Sequence, residues 1–308
     1  MGCIAHVIVK WIDFYLLTKL GISIKPSLLV YRLQYIDQRI VQRIHGRLNF
    51  SFPREVYVGR GRRFYSTSIV GSSGSSLPFY LCKGKLHPWY VTGFCDGESS
   101  FMILVQKRGE KWVTVARFAI CLHEKDKVLL ERIQSNFGGV GGFCKGNKGA
   151  LTYVVSSFKD IRDVIIPHFD KYPLLTKKRA DFELFKSAVK LMHKKEHLTS
   201  EGLVKIVSIK VSLNNGLTPA LVEAFPTITP IDRPLVEGME IPDPNWVVGF
   251  TDGEGCFKIK TYKSSAYNLG MQVGFTFQLT QHIRDIILMK SLISYLGSGS
   301  IEKPTELD

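Results

Sequence analysis

One pattern occurs twice in this chain and limits what it can fold into. The first copy is Trp89-Tyr90-Val91-Thr92-Gly93-Phe94-Cys95-Asp96-Gly97-Glu98, followed by Ser99-Ser100-Phe101. The second is Trp246-Val247-Val248-Gly249-Phe250-Thr251-Asp252-Gly253-Glu254, followed by Gly255-Cys256-Phe257. Gly, Phe, Asp, Gly, Glu and a later Phe recur in register, 156 positions apart. A second echo follows each copy: Phe118-Ala119-Ile120-Cys121-Leu122-His123-Glu124-Lys125-Asp126 against Phe277-Gln278-Leu279-Thr280-Gln281-His282-Ile283-Arg284-Asp285, at an offset of 159. Internal duplication is a fold-level signal. Each copy also delivers one glutamate at the same point, so the fold can bring two symmetric acids together.

Gly93 and Gly97 are four apart, as are Gly249 and Gly253. Positions i and i+4 share a helix face, and two glycines there let another backbone approach closely. Each glycine costs a soluble helix up to about 1 kcal/mol, so a compensating contact is expected. The other copy of the same helix is the simplest one, and it would set Glu98 and Glu254 side by side. Asp96 and Asp252 lie two residues before those glutamates and cannot share their face. They suit a different task, satisfying backbone donors between the helices. Carboxylates gathered at a helix C-terminus repel one another and the helix dipole. Divalent cations relieve that, and an all-oxygen ligand set suits Mg²⁺. Paired metals can clamp the attacking and leaving oxygens of a phosphoryl displacement. A single copy would read more simply as a helix-packing device with solvated ends, whereas two copies with matched flanks favour a shared site.

Several connecting segments carry a family likeness: His168-Phe169-Asp170-Lys171-Tyr172-Pro173-Leu174, Lys195-Glu196-His197-Leu198-Thr199, and Ile209 through Leu217. With the two motifs they resemble the LAGLIDADG homing endonuclease family, in its single-chain, two-repeat, organellar intron-encoded form. The resemblance covers residue 87 to the C-terminus. It implies an α+β fold of tandem pseudo-symmetric α-β-β-α-β-β-α repeats whose antiparallel sheets form a saddle on double-stranded DNA. It implies that Glu98 and Glu254 hold catalytic Mg²⁺ and that the chain, carrying both halves, works as a monomer. It further implies a double-strand break at a long target, in mitochondria. The family often sets a glutamine near the metals and a lysine across the site; Gln278 and Lys303 are the candidates here. An alternative is an intron maturase binding RNA, with Lys177-Lys178-Arg179 and Lys194-Lys195 as basic patches on outer helices. Another is a truncated, inactive relic.

Composition agrees with a polyanionic partner. Basic residues number 41 against 27 acidic, a formal charge of +14, which does not itself separate DNA from RNA or anionic membrane. The six cysteines include no Cys-x-x-Cys pair, which speaks against zinc and a disulfide framework. Ile4 to Leu20 is apolar but carries Lys10, Asp13 and Lys19, so no stable membrane insertion is expected.

Residues 1–86 read as a leader unrelated to the repeats and poorly ordered. Arg60 to Ser68 is basic and acid-free, in the manner of a transit peptide, or is simply upstream sequence. Residues 87–218 form the first repeat, with strands at Leu104–Val105, Trp112–Ile120 and Leu151–Ser156 and helices at Lys125–Phe137, Phe158–Phe169 and Phe182–Met192. Residues 219–244, with six prolines, read as a linker. Residues 245–308 form a second repeat that stops short, leaving a half-built sheet and a sheet edge without a partner. Gly138-Gly139-Val140-Gly141-Gly142 lacks a following Lys-Ser/Thr and reads as a turn rather than a phosphate loop. Side chains alternate along a strand. Ser100, Met102, Leu104, Gln106 and Arg108 therefore share one face, with Phe101, Ile103 and Val105 opposite. In the second repeat Cys256, Lys258, Lys260 and Tyr262 oppose Phe257 and Ile259. The resemblance assigns the first set of each repeat, with Arg117, to DNA.

Overall fold

The computed structural model describes residues 4–10, 85–214, 216–236, 238, 240–265 and 270–302. Lys303, Arg60 to Ser68 and the rest of the leader lie outside the described residues.

In the first repeat, helix α1 (Pro88–Glu98) opens on a proline at its first turn, where a missing N–H costs nothing. It runs directly into β2 (Ser99–Arg108), which turns back into β3 (Lys111–His123). A 3₁₀ turn over Glu124–Asp126 leads to α2 (Lys127–Asn136), two residues later than the sequence pattern suggests. The glycine run then turns the chain, with Gly138, Gly139 and Gly141 at positive φ, a region glycine enters without penalty. Strands β4 (Gly142–Lys145) and β5 (Ala150–Val155) complete an antiparallel sheet of order β2-β3-β5-β4. Phe158–Asp160, Ile161–Ile165 and Ile166–Lys171 run on as one helical stretch, α3. Helices α4 (Lys178–His193) and α5 (Ser200–Ser212) follow. The inner face of the sheet and these helices bury one core, in which Phe101 packs against Phe118, Phe169, Phe182 and Phe185. Phe101, Ile103, Phe118 and Ile120 are wholly buried, as the alternation requires.

The linker carries a short helix, α6 (Pro219–Ala224), that buries Leu221. Arg233 beyond it pairs with Asp181 at 3.0 Å. Helix α7 (Pro244–Glu254) starts from an Asp243 cap that accepts from the Asn245 amide, the usual service of an acidic N-cap. Strands β6 (Gly255–Lys263) and β7 (Met271–His282), helix α8 (Ile286–Leu296) and β8 (Ser300–Glu302) repeat the first order.

The second sheet is not half-built. Its order is β6-β7-β1-β8, and β1 is Ile4–Lys10. This N-terminal strand stands where β5 stands in the first sheet, and in the same register. Thr152 lies between Cys121 and Cys144; His6 lies between Thr280 and Glu302. The expectation that everything before residue 87 stands apart from the repeats therefore fails for Ile4–Lys10. What the second repeat does lack, among the described residues, is a counterpart to α3, α4 and α5. Phe257, Ile259 and Phe275 remain 37%, 40% and 55% exposed, where Phe101 and Ile103 are sealed. No helix among the described residues is long and apolar enough to cross a membrane.

Candidate active site

The two glycine-bearing helices pack face to face. A Cβ on Gly93 would collide with the Trp246 carbonyl oxygen and lie 2.9 Å from the Phe250 nitrogen. A Cβ on Gly249 would meet the Tyr90 carbonyl oxygen and lie 2.8 Å from the Phe94 nitrogen. One turn on, the Cβ position of Gly97 is 3.6 Å from the Gly253 Cα. Only glycine lets backbones approach this closely.

That contact brings the two acids together. The Glu254 Cγ lies 3.1 Å from the Cβ position of Gly97, and the Glu98 Cγ 3.3 Å from that of Gly253. Each glutamate lies across the other helix's glycine. Both are half-buried. Burial, then the neighbouring Glu98, pushes the Glu254 carboxyl up to about 7, against the pull of Lys178 and Gln281. Burial raises Glu98 too, with Lys178 opposing. Two carboxylates in a shared, partly desolvated space resist simultaneous ionisation.

The aspartates have the separate task that their spacing requires. Asp96 is buried and accepts from the Leu175 amide (3.0 Å), the Thr176 amide (3.0 Å) and hydroxyl (2.7 Å), and the Trp246 indole (2.8 Å). It thereby fixes the turn before α4 and ties it to the other repeat. Asp252 accepts from the Tyr90 hydroxyl at 2.7 Å, so each aspartate is held across the helix pair.

Two further side chains reach the site, one that sequence reasoning assigned elsewhere and one that it gave no role. Lys178, at the start of α4, donates to the carbonyl oxygens of Gly97 (2.8 Å) and Cys95 (3.1 Å). Burial lowers its affinity for a proton, and Asp96, Cys95, Glu254 and Glu98 restore part of it. The Lys177-Lys178-Arg179 run is thus no outer patch. Lys178 turns inward, the Lys177 amide donates to Asp285 (2.6 Å), and the Lys177 ammonium donates to the Val236 carbonyl (2.6 Å). The Asp96-held turn aims Lys178, and no local sequence signal reports that. The second is Gln281, whose Nε2 donates to Glu254 Oε1 at 2.8 Å. Gln278 lies instead on the outer sheet face and accepts from Lys258 at 2.6 Å. Strand alternation separates the two: Gln278 and Gln281 are three positions apart, an odd step, so they point to opposite sides. Leu122 is the first-repeat counterpart of Gln281, so repeat matching gives no hint of it.

The remaining expected residues fall on the outer sheet faces. Ser100 and Arg117 are partly exposed, and Gln106, Arg108, Lys258, Lys260 and Tyr262 are exposed. Arg117 Nε is buried and has no hydrogen-bond partner. Among the described residues no group of three or more His, Cys, Asp or Glu gathers. Among the described residues, the side chains gathered at the helix seam offer a metal two carboxylates. That all-oxygen donor set, raised in pKa chiefly by burial, fits a hard divalent cation.

Residues 91–189 and 247–307 match the family model described as LAGLIDADG endonuclease. The chain is 39% identical over 224 residues to the "Probable intron-encoded endonuclease 3" of Neurospora crassa, covering 71% of this chain and 42% of that protein. It is 37% identical over 230 residues to the same organism's "Probable intron-encoded endonuclease 2", covering 70% and 49%. It thus spans less than half the length of these curated relatives. Among solved structures, the I-SmaMI LAGLIDADG homing endonuclease bound to cleaved DNA superposes with a TM-score of 0.70 at 46% identity, covering 72% of this chain and 75% of that one.

Proposed function

Because the chain belongs to the LAGLIDADG endonuclease family, we propose that it is a site-specific DNA endonuclease making a Mg²⁺-dependent double-strand break at a long target. The observation that carries this reading is the meeting of Glu98 and Glu254 across the glycine faces of α1 and α7. Each helix leads straight into the first strand of a sheet, so both sheets begin at one centre. One chain supplies both halves, and the working unit is a monomer. The intron origin in the relatives' names, one of them from an ND4 intron, supports a mitochondrial location.

Glu98 and Glu254 would hold the metal, which supplies positive charge against the phosphate oxygens and lowers the pKa of an attacking water. Gln281 fixes one oxygen of Glu254 and so sets the direction of the other. Lys178 braces the α1 C-terminus through Gly97 and Cys95. It also keeps a cation beside both carboxylates, where charge is expensive to bury alone. The outer faces bearing Gln106, Arg108, Arg117, Lys258, Lys260 and Tyr262 would lie on the duplex. The inward turn of Lys178 takes one of the two basic patches away from the RNA-binding alternative, while Lys194 and Lys195 stay exposed. A randomised duplex pool incubated with the purified chain and Mg²⁺ tests the proposal. Sequenced ends should converge on one site cut in both strands, and a pool left uncut would contradict it.

A further inference from the structure

The two sheets differ in chemistry over the central part of the faces that turn away from their cores. In an antiparallel pair, residues directly opposite share a face. On the first sheet Met102 stands opposite Arg117, Leu104 opposite Val115, and Gln106 opposite Val113. On the second, at the matching repeat positions, Lys258 stands opposite Thr276, Lys260 opposite Gly274, and Tyr262 opposite Gln272. Met102 and Leu104 are replaced by lysines, and Val113 by glutamine. The aliphatic residues do not belong to the core: Met102, Leu104, Val113 and Val115 all stay partly exposed, while Phe101 and Ile103 on the reverse side are sealed. The second face carries exposed Lys258 and Lys260, with Lys258 donating to Gln278 at 2.6 Å. An ammonium and a carboxamide therefore stand together, ready to face a base edge.

We propose that the DNA target is chemically asymmetric. The half-site under the first sheet is read through thymine methyl groups, and the half-site under the second through hydrogen bonds to guanine and adenine. This rests on the endonuclease reading above. Aliphatic side chains can make no hydrogen bond in a major groove, and the thymine C5-methyl is the apolar group presented there. Lysine matches the acceptor pair of guanine and glutamine the donor–acceptor edge of adenine. Arg117, opposite Met102, marks a guanine position inside the thymine-reading stretch, and Gln106 and Arg108 at the far end of the strand add hydrogen-bonded positions beyond it.

Selection from a randomised duplex pool, with Ca²⁺ in place of Mg²⁺ so that bound DNA is not cut, reads both halves at once. One half should enrich in thymine and the other in purines. Resynthesis with deoxyuridine for thymine in one half at a time should weaken binding about fourfold per contacted methyl in the first half and leave the second unchanged. Leu104→Lys should alter the thymine-rich half only. The reciprocal Lys260→Leu should introduce thymine preference in the other, and guards against a folding defect in the first variant. Two halves of like composition, or indifference to deoxyuridine, would overturn the asymmetry while leaving a sequence-specific DNA protein. A pool with no enrichment would overturn the endonuclease reading and this inference with it.

Discussion

At the scale of residues, crowding at the helix seam has a thermodynamic consequence. The Glu254 carboxyl is raised from an ordinary value near 4.5 to about 7, first by burial and then by Glu98. The folded chain therefore keeps a proton that the unfolded chain releases across that interval. Raising the pH through it favours unfolding. In metal-free protein, Tm should fall between pH 5 and pH 8, and Glu254→Gln should recover part of the loss at pH 8 while changing little at pH 5. A variant no more stable than wild type at pH 8 would contradict the repulsion. The glutamates themselves were legible in the sequence, because recurrence at one offset marked them. Gln281 and Lys178 were not. Gln281 faces a first-repeat leucine in the alignment, and Lys178 reaches the seam only because Asp96 ties down the turn at Leu175 and Thr176.

At the scale of elements, the α1–α7 seam and the N-terminal strand set the stability of the pair. Even alanine at Gly93 would drive a Cβ into the Trp246 carbonyl, and overpacking of this kind costs about 1–3 kcal/mol. Gly93→Ala and Gly249→Ala should each lower Tm by several degrees, and unchanged melting in both would argue against the packing. Strand β1 lies between β7 and β8, and His6, Val7 and Ile8 have a neighbouring strand on both sides. Proline removes a backbone donor. Val7→Pro should therefore speed amide exchange in residues 271–282 and leave residues 99–123 unchanged; equal exchange in both variants would mean that β1 contributes nothing to the second sheet. Strands β2, β3 and β5 and helices α2, α3 and α4 of the first repeat followed from hydrophobic periodicity, whereas α5 was not read from it. The β1 pairing did not, because a seven-residue strand far in sequence from its partners has no local signature.

At the scale of the whole molecule, a net charge of +14 and two sheets springing from one pair of glutamates suit the polyanionic partner proposed above. If about six phosphates are neutralised on duplex DNA, log K against log salt should have a slope near −5; a flat dependence would rule out a surface that tracks the backbone. The pairing of Glu98 with Glu254 could be anticipated because the duplicated glycine faces call for each other, and the fold class because the motifs resemble those of a known family. The completion of the second sheet by the chain's own N-terminus could not, since it is a tertiary event. The central claim is that Glu98 and Glu254 act as one metal-dependent cleavage centre. The most direct measurement is strand cutting of a selected target by Glu98→Gln and Glu254→Gln, each compared with wild type in Mg²⁺ and checked for binding in Ca²⁺. Both variants should bind the duplex and fail to make the double-strand break, and wild-type cutting by either one would contradict the shared site.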